Sequence, residues 1–226
     1  MISYAVPDEV LAPYLGGLVI DRWEGQAYVS VVGFHFGRTR VLGLNPGLIA
    51  PSLANFPQWN LRGYVKSGPN GPTSQRGIVF IKEFVPHPLT ATIVHRLYNE
   101  NYHAAPLTQA IQVTPDVRSI RYSLTWAGRP HVISVSSRGE TRLPEPGSED
   151  YFLTDRTWGW AANHAGTGFR VSHEPWRTYK VASYLITVDF ARLYGPQWAF
   201  LNDRTPDHVT WCDGSSAEVS WRMRSG

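Results

Sequence analysis

Short apolar runs, broken by glycine or proline roughly every 10 to 20 residues, dominate this chain and predict a β-rich fold. "QAYVSVVGFHF" (26–36) is apolar at nearly every position, as expected of an interior strand covered on both faces. "WNLRGYVK" (59–66) alternates instead. Trp59, Leu61, Gly63 and Val65 fall on one face, and Asn60, Arg62, Tyr64 and Lys66 on the other, the period of a strand. "SIRYSLTW" (119–126) sets Ile120, Tyr122, Leu124 and Trp126 against Ser119, Arg121, Ser123 and Thr125 in the same way. "PHVISVSS" (130–137), "FRVSHEP" (169–175), "KVASYLITV" (180–188) and "AEVSWRM" (217–223) continue the series.

Helical patterns are fewer. "PDEVLAPYL" (7–15) carries acidic residues in its first turn, where the helix dipole favours them. "PLTATIVHRLY" (88–98) begins on a proline and places Leu89, Ile93 and Leu97 along one stripe. "GSEDYFLTDR" (147–156) offers Ser148 as a cap ahead of Glu149 and Asp150. Residues 67–77, "SGPNGPTSQRG", read as an exposed loop between strands. No internal repeat is visible, so residues 1–226 are expected to form a single domain.

One strand carries an anomaly. "IVFIKEFVP" (78–86) is apolar except for Lys82 and Glu83 at its centre. Neighbours on a strand point to opposite faces, so these two charges cannot simply neutralise each other. Each requires its own partner or its own route to water. Strict alternation puts Lys82 beside Phe80 and Phe84, and Glu83 beside Ile81 and Val85. One charge then belongs to an interior, the other to the surface or an adjoining helix.

Composition narrows the class. Of 226 residues, 42% are hydrophobic and 17% charged, a globular balance. No run approaches the roughly 20 apolar residues of a membrane helix, and "MISYAVPDEV" lacks the basic-then-apolar pattern of a secretory signal. Cys212 is the single cysteine, which excludes an internal disulfide and fits a reducing cytoplasm. The formal net charge is +3, and only Lys66, Lys82 and Lys180 among the 21 basic residues are lysine. The arginines are scattered singly, without the basic patch of a nucleic-acid binder.

Several segments together resemble the YqjF-like family of uncharacterised bacterial proteins. They are "VPDEVLAPYLGGLVIDRWEGQAYVSVVGFHF", "FPQWNLRGYV", "GIVFIKEFVP", "RLYNENYHAAPL", "GSEDYFLTDR" and "VSHEPW". That family is grouped with acetoacetate decarboxylase-like proteins. The resemblance implies an α+β domain built on a strongly curved, mostly antiparallel sheet, or a cone-like β-barrel, around an internal cavity with a few short helices. Acetoacetate decarboxylase works through a Schiff-base lysine whose pKa is lowered by a neighbouring cation. Where the resemblance would put that lysine pair, this chain has "NYHAAP" (101–106), with Tyr102, His103, Ala104 and Ala105. The nucleophile does not carry over, so Schiff-base acetoacetate decarboxylation is not expected.

The remaining candidates follow from residue chemistry. Lys82 in a dry aromatic setting would be a lowered-pKa amine; equally, it could lie on an outer face and snorkel over the rings. An inward Glu83 could pair with Arg62 as a structural ion pair or act as a proton-transfer group. Arg62, with Asn60 and Tyr64, could hold a carboxylate from several directions. Tyr102, His103 and Arg121 are further pocket candidates. His87, His95 and His103 recur every eight residues, about 80° apart on a helix, and do not share a metal-binding face. Cys212 and "GTG" (166–168) lack a thiolate or phosphate context. No metal and no cofactor is called for. Two functions fit: a protein binding a small organic acid or ketone, with lyase-type or acid–base chemistry, and a non-catalytic ligand-binding or structural protein that retains only the fold. Neither nucleic acid nor membrane is expected as a partner, and self-association is left open.

Overall fold

Three long strands carry the architecture: β4 (Gln26–Phe36), β5 (Phe56–Ser67) and β6 (Gln75–Val85). The computed structural model describes residues 1–37, 54–68, 74–92, 101–115, 117–162 and 167–224. β1 (Ile2–Val6), β2 (Val19–Ile20) and β3 (Arg22–Trp23) precede the three, and β7 (Tyr102–Ala104) follows them. β8 (Leu107–Val113), β9 (Arg118–Trp126) and β10 (Arg129–Arg142) form a meander. The rest are β11 (Trp158–Ala161), β12 (Thr167–His173), β13 (Thr178–Thr187), β14 (His208–Val209), β15 (Trp211–Cys212), β16 (Ala217–Val219) and β17 (Met223–Arg224).

Among the described residues the strands form two sheets. The larger follows the order β14-β1-β4-β5-β6-β11-β12-β16, and the smaller β15-β13-β10-β9-β8. Pairing is antiparallel except where β7 and β11 run parallel to β6. Among the described residues neither sheet closes on itself; they form two open sheets packed face to face, and a closed cone or barrel is not seen among them. Leu61, Trp59 and Val31 of the first meet Leu107, Tyr122, Leu124 and Ile133 of the second in one core. The helix Phe190–Tyr194 and the 3-10 turn Pro196–Leu201 seal its end with Phe190, Leu193 and Trp198. Trp59 is fully buried and donates its indole N–H to Tyr194 Oη at 2.7 Å, so its large apolar area is buried with no orphaned donor.

Local sequence explains much of this. Asp8–Leu15 is helical as expected, and Leu11 inserts over Gly63. In Glu149–Thr154 the Ser148 side chain accepts the Tyr151 N–H at 3.2 Å. The β9–β10 hairpin turns on Ala127 and Gly128, both at positive φ, the geometry whose twist matches the flanking strands. Three expectations change. The strand beginning at Gln75 takes the end of the loop assigned to 67–77, whose residues 69–73 lie outside the described set. "AEVSWRM" divides into β16 and β17. Residues 88–92 are helical, while 93–98 of that proposed helix, with His95, lie outside the described residues.

The anomaly in "IVFIKEFVP" is a β-bulge. Leu61 pairs with Lys82 but Arg62 pairs with Phe80, so Ile81 is an extra residue in β6. A bulge resets which face each side chain takes. Ile81 therefore packs with Leu61, Trp59 and Phe84, not beside Glu83, and Phe80 leaves Lys82's face for that of Tyr64. Asn101 holds the bulge: its Nδ2 donates to Ile81 O at 3.1 Å, and its carbonyl accepts Glu83 N at 3.1 Å. The outer edge of β6 is thereby divided, with β11 along Gly77–Phe80 and β7 along Glu83–Val85.

Close approach of the two sheets sets one sharp requirement. A Cβ on Gly33 would lie 2.4 Å from the Tyr122 ring, whereas one on Gly37 would meet nothing nearer than 3.9 Å. Gly33→Ala is expected to destabilise the protein by about 1–3 kcal/mol through overpacking, and Gly37→Ala by less than about 0.5 kcal/mol. Urea unfolding midpoints of the two variants test this; equal midpoints would contradict the packing described.

Candidate functional site

The bulge sorts the charges. Lys82 faces the core between the sheets, where its Nζ donates to Leu193 O at 2.7 Å and lies 4.6 Å from the Trp126 ring centroid and 5.1 Å from that of Phe84. Burial pushes its pKa down. His103 lies on this same side, its ring against Phe84 and Trp126 and its Nε2 2.8 Å from Asn101 Oδ1. The amine is half-buried, and the rings beside it are Phe84 and Trp126 rather than Phe80 and Phe84. The amine is held by the last turn of the helix Phe190–Tyr194.

Glu83 faces the opposite way, onto a polar surface that is closed from solvent. Its register partner is Asn60, and Arg62 and Tyr64 follow on the same face of β5. Asn60, Tyr64 and Glu83 are each 0% exposed. Gln58 extends the row by donating from Nε2 to Glu83 Oε1 at 2.5 Å, and Tyr102 donates its hydroxyl to Gln58 Oε1 at 3.2 Å. Across β4 and β1, Ser30 Oγ lies 2.7 Å from both Tyr64 Oη and Ser3 Oγ. Arg62 and Glu83 thus share a face, as the alternation implied, but they are not paired with each other. Arg121 is absent from this surface. It is exposed on the second sheet, with its Nε 3.4 Å from Ser123 Oγ.

Arg62 is the unusual member. Its Nη2 reaches Met1 Sδ at 2.8 Å and Leu153 O at 3.3 Å, both neutral acceptors, and its Nε has no partner. None of the ion pairs among the described residues includes it. Arg156, equally buried 5.0 Å from the centroid of the same Tyr64 ring, shows the ordinary solution: it binds Asp21 Oδ2 at 2.5 Å. Beside Arg62, both polar atoms of the Asn60 amide lack a protein partner. An unbonded buried amide costs about 1–3 kcal/mol. A guanidinium with a free donor and an amide able both to donate and to accept have the chemistry to receive a carboxylate or a ketone oxygen.

The helix Glu149–Thr154 covers this end of the face. Leu153 supplies the carbonyl to Arg62, and Phe152 packs 5.2 Å from the Tyr64 ring centroid. His208 ties the helix to β14, with Nε2 2.8 Å from Asp150 Oδ1 and Nδ1 3.2 Å from Glu149 Oε2. Burial alone pushes the His208 pKa down, but the Asp150 hydrogen bond and the two carboxylate charges outweigh it and hold the pKa above 6.5. Gln58, Ser30, Asp150 and His208 were not foreseen. Gln58 simply continues the polar alternation two residues upstream of Asn60, and Ser30 is the one polar side chain between Tyr28 and Phe34 of its strand.

No helix of the described residues is long and apolar enough to cross a membrane, and no group of three or more His, Cys, Asp or Glu among them is arranged to hold a metal ion. Residues 1–216 match the family DUF2071, described as an uncharacterized conserved protein. No curated protein matches the sequence. Among solved structures, the chain is similar to an acetoacetate decarboxylase from Legionella pneumophila, with a TM-score of 0.51 and 10% sequence identity over 85% of this chain and 74% of that one. At that identity the likeness concerns the fold alone.

Two outcomes follow. Asn60→Leu is expected to raise stability by about 1–3 kcal/mol, because it replaces an unbonded amide with apolar volume; a lower melting temperature would show that the amide is satisfied. The raised His208 pKa contributes stability below pH 6.5 that is lost as pH rises through the folded-state value. Wild type should therefore lose stability relative to His208→Gln between pH 6 and pH 9, and parallel pH profiles would contradict the carboxylate clamp.

Proposed function

We propose that this chain, which belongs to the DUF2071 family, binds a small organic acid or keto acid on the enclosed polar face of β5. The observation that carries the reading is Arg62, 6% exposed and without a carboxylate partner, next to the unbonded amide of Asn60. Arg62 takes the ligand's carboxylate, and Asn60 a second oxygen on the ligand. Tyr64 is engaged with Ser30 and fixes the wall beneath Arg62. Glu83, in chain with Gln58 and Tyr102, is the group placed for proton transfer to a bound acid. Lys82 points away from this face and takes no part in it, so the chemistry proposed here is acid–base and not Schiff-base chemistry.

A thermal-shift screen of small carboxylic and keto acids tests the reading. Wild type gains several degrees with at least one acid, since a ligand at about 100 times its Kd adds roughly 2.7 kcal/mol. Arg62→Met keeps its apolar stem and its melting temperature but loses that gain. An Arg62→Met protein that melts far below wild type, with no acid stabilising either, makes Arg62 a structural residue and ends the proposal.

Incubation with acetoacetate and borohydride addresses the chemistry separately. No lysine adduct is expected by mass spectrometry; a trapped adduct at Lys82 would move the reactive site to the opposite face of the sheet.

A further inference from the structure

β8 is the terminal strand of the second sheet. One edge of it is paired with β9 over all seven residues, from Leu107↔Leu124 to Val113↔Arg118. No described strand lies along the other edge. The other terminal strands, β14, β15 and β16, are only two or three residues long, and short edges are a common guard against association. Among the described residues β8 has none of the usual guards. Its sequence, LTQAIQV, has no charge and no proline. Ile111 and Val113 are 57% and 61% exposed, and Ala110 and Gln112 are also open to solvent.

We propose that β8 pairs antiparallel with β8 of a second copy of this chain, about a two-fold axis at Ala110, joining two five-stranded sheets into one. Overlap of all seven residues fixes the register. Ala110 faces Ala110 of the second copy, Ile111 faces Gln109, and Val113 faces Leu107. Residues 107, 109, 111 and 113 share a face, so the exposed Val113 of each copy lies over the already buried Leu107 of the other, and the exposed Ile111 lies beside the Gln109 side chain. The occupant is a second copy because the edge is self-complementary. A two-fold axis presents the same patch on both sides, and this patch carries no charge to oppose itself. The nearest charge in line is Arg121, the register partner of Ala110 on β9. Across the dimer the two Arg121 residues stand three strand spacings apart, roughly 14 Å, beyond the ~8 Å screening length at physiological salt.

Light scattering of the full chain over a concentration series is the test. Wild type is expected to reach twice the 25.4 kDa monomer mass. Ala110→Lys and Ala110→Glu, at an exposed position, should each remain monomeric, because like charges meet at the axis. A mixture of the two should recover the doubled mass, an outcome specific to this register. Amide exchange of wild type gives a readout independent of how the variants fold: residues 107–113 should exchange more slowly at high than at low concentration. A wild type that stays at the monomer mass overturns the proposal, whatever else binds the edge. So does an Ala110→Lys protein that still doubles, or exchange in 107–113 that ignores concentration.

Discussion

The single extra residue at Ile81 organises the first sheet. Without it, Lys82 would share a face with Phe80, and Glu83 with Ile81. With it, Ile81, Lys82 and Phe84 all face the core shared with the second sheet, and Phe80 and Glu83 face the other way. The bulge frees backbone groups that must be bonded, and Asn101 supplies both partners, one from its side chain and one from its carbonyl. At the same point the neighbour of β6 changes from β11 to β7. Tyr102 and His103 follow directly from Asn101, so one device also delivers Tyr102 to the polar face and His103 to the Lys82 side.

That arrangement accounts for how charges are tolerated in so apolar a strand. Lys82 keeps a carbonyl at a helix end and two aromatic faces, contacts that suit a cation. Glu83 receives Gln58. Arg156 has Asp21. Against these, Arg62 stands out because only neutral atoms receive it. A buried ion without its counter-charge is expensive, and natural proteins concentrate such violations at functional sites. On the proposed reading, a planar, forked cation beside an amide favours a small carboxylate over a bare halide.

Much of this was legible in the sequence. The alternation of "WNLRGYVK" placed Asn60, Arg62 and Tyr64 on one face because β5 itself is regular; the register slip belongs to β6. Ser148 and its acidic followers marked the helix that covers Arg62. The bulge was not legible, because counting by twos through "IVFIKEFVP" assumes an unbroken ladder, and its signature residue, Asn101, lies 20 residues away. Arg121 failed for a related reason. Alternation identifies a face but not which face is enclosed, and the polar face of β9 looks outward. The closed cone implied by the family resemblance also depends on how strands far apart in sequence pair, information that no local pattern contains.

On the proposed reading, Arg62 and Asn60 act together on a ligand from the enclosed side. A crystal structure of the protein grown with the acid that stabilises it most is the direct measurement. The ligand's carboxylate should lie within hydrogen-bond distance of Arg62 Nε, with a second ligand oxygen on the Asn60 amide and Glu83 facing the same ligand. Density for the acid on the Lys82 side of the sheet, or at the exposed Arg121, would contradict it.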